Sequence, residues 1–403
     1  MPSRPLQAVL FRPGNSAPLL DALAAAIDGT GPAIAPLDPA LPKARLDDLL
    51  VALAPASIRT EDHTERAAPS SPRAAARPGV ADDVAVVVAT SGSTGTPKAA
   101  ELSAAALLAS ARASLARLGA GRYDRWLCCL PTHHISGLGV LVRSLVAGPA
   151  PLVLVQADAA ALAQAVDAGC RYASVVPTQL RRLLETGAGP ALASLRAVLL
   201  GGAAVPPDLL EAAAAAGARV VTSYGMTETC GGCVYDGLAL DGVRVAYGED
   251  GRIRIAGPVL FSRYRLAPEL TRAALDDGWF RTADLGAPGA DGRLVVRGRA
   301  DDVINSGGEK VVAAEVERAL RDCPGVRDIA VVGVADPEWG ERVTALVVAA
   351  DPARPPTLRR LREHVRGTLP AYAAPRAVTI VREIPVLGSG KPDKQSLRRI
   401  AAR

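Results

Sequence analysis

The chain has 403 residues, of which 49% are hydrophobic and 3% aromatic, and a formal charge of +5. Its length exceeds what one compact core organises and its apolar content excludes wholesale disorder, so two or more domains are expected. Arg, Asp and Glu are interspersed along most of the chain, and no basic tract carries aromatics, which argues against nucleic acid as a partner.

Residues 1–18 carry Arg4, Arg12 and prolines but no apolar core stretch, unlike a secretory leader. Residues 56–80 are polar, with Pro69, Pro72 and Pro78, and read as a long surface connection. A buried strand is predicted at 84–89, then a helix from about Ser103. The most apolar stretch, 135–148, is too short to span a bilayer and contains Arg143, so no membrane partner is expected. Strand 170–176, a helix from Thr178 and strands 197–200 and 220–223 repeat an α/β theme. Beyond about residue 239 come short strands with turns, at 252–255 and at 293–297 after the Asp291-Gly292 turn. A last unit follows, with helix 313–321, strands 329–334 and 343–348 and helix 358–368. The expected fold is α/β: a large layered N-terminal domain, residues 1–299, and a small α+β C-terminal domain, residues 300–403.

The last part is the most basic, through Arg359, Arg360, Arg362, Arg366, Arg398 and Arg399. These read as exposed helix faces or as a surface that attracts a phosphorylated cosubstrate. The six cysteines follow no disulfide framework, and a reducing, cytoplasmic compartment is expected. Cys230 and Cys233 form the only C-x-x-C pair, without a second pair at ligand spacing, so small residues flooring a pocket are a better account than zinc.

Five segments carry chemistry. The first is Thr90-Ser91-Gly92-Ser93-Thr94-Gly95-Thr96-Pro97-Lys98, directly after a predicted strand. Glycines let a backbone approach oxyanions, hydroxyls donate hydrogen bonds, and Lys98 adds a point charge. The spacing is not that of a Walker loop. The second, Tyr224-Gly225-Met226-Thr227-Glu228-Thr229, puts an aromatic that can cover a purine beside a carboxylate that can hold Mg²⁺. The third, Trp279-Phe280-Arg281-Thr282-Ala283-Asp284, ends on a carboxylate suited to two ribose hydroxyls. The fourth is Gly298-Arg299-Ala300-Asp301-Asp302 with Ser306-Gly307-Gly308-Glu309-Lys310. The fifth, Gly388-Ser389-Gly390-Lys391-Pro392-Asp393-Lys394, sets a lysine on a glycine-rich loop. Each alone fits a turn or a surface charge as well as a site; their joint order argues for a site.

In that order the five motifs resemble the adenylate-forming superfamily of acyl-CoA synthetases, luciferases and peptide-synthetase adenylation domains, over about residues 84–399. The likeness is closest to the short bacterial o-succinylbenzoate–CoA ligases of menaquinone synthesis. Leu130-Pro131-Thr132-His133-His134-Ile135-Ser136-Gly137-Leu138, Ser174-Val175-Val176-Pro177-Thr178-Gln179-Leu180 and Leu200-Gly201-Gly202-Ala203-Ala204-Val205-Pro206 carry it, with Ser306-Gly307-Gly308-Glu309. The chain before the first motif is also short, as in those compact ligases.

The resemblance implies that Ser91, Gly92, Ser93, Thr94, Gly95 and Lys98 wrap the β- and γ-phosphates of ATP. Gly201, Gly202 and Ala203 would border adenine and the acyl group, with Tyr224 and Gly225 on the adenine side. Thr227 would touch the α-phosphate, Glu228 would hold Mg²⁺, and Asp284, assisted by Arg299, would bind ribose. Asp301 takes the hinge position about which the C-terminal domain turns. Lys391 would reach the acyl carboxylate and α-phosphate, and Gly307 and Gly308 would line the path of the CoA thiol. Ala99 and Ala283 depart from the superfamily, which usually has glycine at both positions.

The implied chemistry is a carboxylate attack on the ATP α-phosphorus that expels pyrophosphate, its charge offset by Mg²⁺, Lys98 and Lys391. The CoA thiol then displaces AMP, and no protein nucleophile is needed. On the acid side the candidates are His134, Arg143 and Thr178. His134 is either a hydrogen-bonding pocket residue or a structural histidine; His133 serves local structure. Arg143 either meets a second substrate carboxylate or pairs with a buried carboxylate of the protein. The expected activity is an acid–CoA ligase, for o-succinylbenzoate or another aryl or fatty acid. An adenylation enzyme that loads a carrier protein and a non-catalytic nucleotide-binding relic are the alternatives, and family likeness adds a homodimer.

Overall fold

The computed structural model describes residues 3–12, 16–61, 63–66, 78–90, 98–386 and 392–402. Two compact units emerge: one comprises Met1–Val245 and Ile255–Arg281, the other Ala246–Arg254 and Thr282–Arg403. The chain passes between the units at 245/246, 254/255 and 281/282.

Among the described residues the first unit holds two seven-stranded sheets. In one, the parallel strands Leu152–Val153, Arg125–Cys128, Cys170–Val175, Ala197–Gly201 and Val220–Met226 lie side by side. Gly231–Tyr235 and Leu238–Ala239 then add antiparallel edges. Burial on both faces explains why these strands read as continuous apolar runs rather than alternating ones. The other sheet runs Arg263–Tyr264, Lys98–Ser103, Val84–Thr90, Ala33–Pro36, Leu6–Leu10, Ser57–Thr60, Thr64–Arg66.

Helices Ala104–Leu118 and Ile135–Ala147 pack on each other between the sheets. The first starts on Ser103, whose Oγ accepts the Ala106 N–H at 3.1 Å, and ends on left-handed Gly119. Buried between two sheets, it needs small residues on most of its circumference, and its hydroxyls are satisfied across the gap. Ser110 Oγ donates to the Cys230 carbonyl at 3.1 Å, and Ser114 Oγ lies 2.7 Å from the Tyr235 hydroxyl.

Within the surface connection expected over 56–80, Ser57–Thr60 is a strand. It pairs in parallel with Leu6–Leu10, and its residues are only half-buried because it lies near the sheet's edge. Residues 67–77 lie outside the described set.

In the second unit Val326–Asp336 and Gly340–Ala349 form a long antiparallel pair. One face takes Val316 and Leu320 of helix Ala313–Arg321 with Leu361 and Val365 of Leu358–Arg366. The opposite face takes Leu397 and Ala401 of helix Lys394–Ala401. These helices bury residues three, four or seven apart, the narrow stripe of an amphipathic helix on one sheet face. The architecture is the layered α/β fold with a small α+β part that the sequence predicts.

Candidate active site

Four neighbouring parallel strands of the first unit end at one edge, and the segments just beyond them carry six of the predicted site residues. His134 follows Arg125–Cys128, Thr178 follows Cys170–Val175, Gly202 and Ala203 follow Ala197–Gly201, and Thr227 and Glu228 follow Val220–Met226. The carboxyl edge of a parallel sheet is where loops from different strands converge on a ligand.

Register holds these segments together. Gly201 pairs with Ser223, and a Cβ on Gly201 would lie 3.0 Å from the Ser223 carbonyl oxygen. Gly225 pairs with Gly232, and a Cβ there would meet the Gly231 oxygen at 2.0 Å, so this position accepts no side chain. Gln179 ties two of the loops, donating from Nε2 to the Cys129 carbonyl at 2.8 Å while Oε1 accepts the Val176 N–H at 3.2 Å. Thr178 is exposed on the first turn of helix Pro177–Glu185. His134 is half-buried, with its ring 4.4 Å from that of His133. Burial lowers the pKa of His133, and Asp38 partly offsets this.

Glu228 sits on the single turn Thr227–Thr229. Thr227 and Thr229 are buried, and Thr229 Oγ1 bonds Met226 and donates to the Gly231 carbonyl at 2.7 Å. The Glu228 carboxylate accepts a hydrogen bond from the Tyr264 hydroxyl at 2.7 Å. Burial first, then the charge of Glu228, raises the Tyr264 pKa, so the phenol keeps its proton. Lys98, at the start of strand Lys98–Ser103, places Nζ 5.7 Å from the centre of the Tyr264 ring. The structure thereby brings Lys98, from one sheet, and Glu228, from the turn after a strand of the other, to one tyrosine that no sequence motif singled out. Ala99 is buried in the same strand without disturbing its pairing to Ala89.

Arg143 is not at the sheet edge. Its guanidinium is buried over the Trp126 ring at 4.3 Å and donates to Ser174 Oγ at 3.0 Å, while its Nε has no partner. Among the described residues no carboxylate lies within ion-pair distance, which overturns the reading of a buried protein ion pair. Burial lowers its pKa.

The second unit carries the remaining candidates. Asp284 pairs with Arg299 across a hairpin, and Arg299 Nη1 lies 3.4 Å from Asp284 Oδ1. The same guanidinium grips both oxygens of Asp301 at 2.8 Å. Gly307 and Gly308 have φ of +65° and +85°, and Gly307 N–H donates to the Trp339 carbonyl at 2.8 Å. Trp339 is a neighbour that the sequence did not mark.

Ser91, Gly92, Ser93, Thr94, Gly95 and Lys391 lie outside the described residues. The residues on either side of Lys391's segment, Val386 and Pro392, pair in an antiparallel bridge, and Lys394 is held by Glu317 at 3.1 Å.

Among the described residues no cluster of three or more His, Cys, Asp or Glu could hold a metal by itself. Mg²⁺ takes hard oxygen ligands, usually keeps several waters and needs only one or two protein carboxylates; the Glu228 carboxylate could serve as one. Burial pushes the Cys233 thiol up to about 12 and raises that of Cys230, so both stay protonated in the core. Among the described residues no helix is long and apolar enough to cross a membrane.

Comparison with known proteins agrees with this arrangement. Residues 22–300 match the AMP-binding enzyme family, and residues 315–391 match the AMP-binding enzyme C-terminal domain. A protein of Mycobacterium tuberculosis named probable 2-succinylbenzoate–CoA ligase is 50% identical over 327 residues, 79% of this chain and 85% of that one. The o-succinylbenzoate CoA synthetase of Bacillus subtilis, solved with the acyl-adenylate intermediate, superposes with a TM-score of 0.82 at 26% identity, over 98% of this chain and 88% of that one. The same synthetase solved with ATP and magnesium ion also gives 0.82 at 26% identity, over 98% and 89%. The chain belongs to the AMP-binding enzyme family and has its C-terminal domain.

Proposed function

We propose that this chain is an o-succinylbenzoate–CoA ligase, which activates the acid with ATP as an acyl-adenylate and transfers the acyl group to CoA. The observation that carries the reading is the 50% identity to a protein of that name over 85% of its length. The cluster of Gly201, Tyr224, Thr227 and Glu228 at one sheet edge supports it.

In this reading the acid's oxygen attacks the α-phosphorus and pyrophosphate leaves. Lys98 and Lys391 offset the charge that builds on the phosphates, Thr227 donates to the α-phosphate, and Tyr224 covers adenine beside Gly201, Gly202, Ala203 and Gly225. Ser91, Gly92, Ser93, Thr94 and Gly95 cradle the outer phosphates. Mg²⁺ held by Glu228 supplies further neutralisation of the phosphate oxygens. Asp284 binds ribose, with Arg299 beside it, and Asp301 is the hinge. Gly307 and Gly308 leave room for the CoA thiol. On the acid side His134 and Thr178 contact the substrate, and the buried guanidinium of Arg143, whose Nε has no partner among the described residues, serves its second carboxylate. The reading includes a cytoplasmic location and a homodimer, the latter checked by light scattering.

The test is thioester formation with ATP and CoA from o-succinylbenzoate, beside benzoate and a medium-chain fatty acid. Selective turnover of the dicarboxylate is expected; turnover of another acid alone sinks the substrate assignment. Saturation by free CoA distinguishes it from a carrier-protein thiol. Lys391→Ala is expected to lower pyrophosphate release about 100-fold or more.

A further inference from the structure

We infer that Tyr264 is a positioning residue for the reaction: it holds one oxygen of Glu228 so that the other faces the metal. The inference rests on the reading of Glu228 as the Mg²⁺ ligand and extends it to a residue outside every sequence motif.

The argument begins with mobility. Glu228 stands on a three-residue turn, and its side chain has three rotatable bonds that the turn does not fix. Its backbone is anchored, because the Phe261 N–H donates to the Glu228 carbonyl at 2.8 Å. The carboxylate is anchored by Tyr264, whose hydroxyl donates to Oε1 at 2.7 Å.

Tyr264 itself is fixed from several sides. The residue is 6% exposed, and its ring lies 4.8 Å from the Phe261 ring. Its N–H donates to Thr271 Oγ1 at 3.0 Å, and its strand pairs with Lys98–Ser103 in the register Tyr264 to Ala100. The residues on either side, Arg263 and Arg265, both bind Glu101 of that strand, at 2.7 and 3.2 Å. A side chain so constrained can orient another, as outer-shell partners orient metal ligands.

The donor's chemistry is apt. A lysine or arginine in the same place would neutralise the carboxylate and compete with a cation, whereas a phenol orients it and leaves its charge. Among the described residues no Lys or Arg lies within ion-pair distance of Glu228, and the Lys98 ammonium sits over the Tyr264 ring instead. Tyr264 thus also separates the charge meant for phosphate from the charge meant for metal.

The experiment measures equilibrium binding of ATP by calorimetry across a Mg²⁺ titration, for wild type, Tyr264→Phe and Glu228→Gln, with melting curves for each. Tyr264→Phe is expected to keep the melting temperature and metal-free ATP affinity but to raise the Mg²⁺ midpoint about tenfold. Glu228→Gln is expected to lose the Mg²⁺ response. A wild-type Mg²⁺ midpoint in Tyr264→Phe, with the response lost in Glu228→Gln, overturns the role of Tyr264 and leaves Glu228 as the ligand. A wild-type response in Glu228→Gln overturns both. Should Tyr264→Phe fail to fold, Tyr264→4-fluorophenylalanine fills the hydroxyl's space without donating, and the same midpoint decides.

Discussion

Arg265 and Glu101, 164 residues apart in the chain, form an ion pair at 3.2 Å with side chains 1% and 2% exposed. Arg265 also donates to the carbonyls of Leu53 and Pro78, so one guanidinium ties strand Lys98–Ser103 to two distant segments. A buried charge whose partner is removed is costly, and Glu101→Leu is expected to lose about 3–5 kcal/mol of stability. Adding Arg265→Met should restore much of it. Urea unfolding of the single and double variants checks both statements.

The environment of Arg143 makes a contrasting prediction. Its guanidinium is buried with no anion beside it among the described residues, so Arg143→Met should change stability by no more than about 1 kcal/mol, or raise it. If the cation serves the substrate's second carboxylate, KM for o-succinylbenzoate rises about tenfold or more, the loss of a charged hydrogen bond of about 1.5 kcal/mol. KM for ATP should stay unchanged in the same assay. An unchanged KM for the dicarboxylate removes Arg143 from the acid site.

Gly307 is left-handed, and a Cβ there would lie 2.7 Å from the Trp339 ring. Gly307→Ala should cost about 1–3 kcal/mol through overpacking, to which the positive φ adds about 1 kcal/mol. Thioester formation should fall more than pyrophosphate release in this variant, since Gly307 is assigned to the thiol path. Equal losses in both steps would argue against that assignment.

Arg299 holds Asp301 through two parallel hydrogen bonds, a geometry that lysine cannot reproduce. Its side chain is 48% exposed, so Arg299→Lys should move stability by less than about 1 kcal/mol. KM for ATP is expected to rise about tenfold, again the loss of one charged hydrogen bond. Calorimetric melting and steady-state kinetics separate the two effects.

His133 gives a pH dependence with a definite sign. Burial lowers its pKa in the folded chain below the unfolded value of about 6.5. As pH falls through about 6.5 the unfolded chain binds the proton first, so stability declines until pH passes below the folded pKa. Melting temperatures between pH 7.5 and 5.5 should fall less for His133→Gln than for wild type.

The candidate site is read from sequence because its signals are local. A glycine–hydroxyl run after an apolar strand, or Tyr224 through Glu228 at a strand's end, is written in adjacent residues, as are the stripes of helices Ala313–Arg321 and Lys394–Ala401. The strands Leu6–Leu10 and Ala33–Pro36 were not seen, since four or five apolar residues among Ala-rich helices carry no period of their own.

The sequence by itself determined the layered α/β class, the adenylate-forming motifs and their order. Only the tertiary structure decided that Tyr264 meets Glu228, that Arg265 meets Glu101, and that Arg143 rests on Trp126. Those pairings depend on which strands lie side by side and in what register. Register is set by the packing of whole faces, and no run of neighbouring residues encodes it.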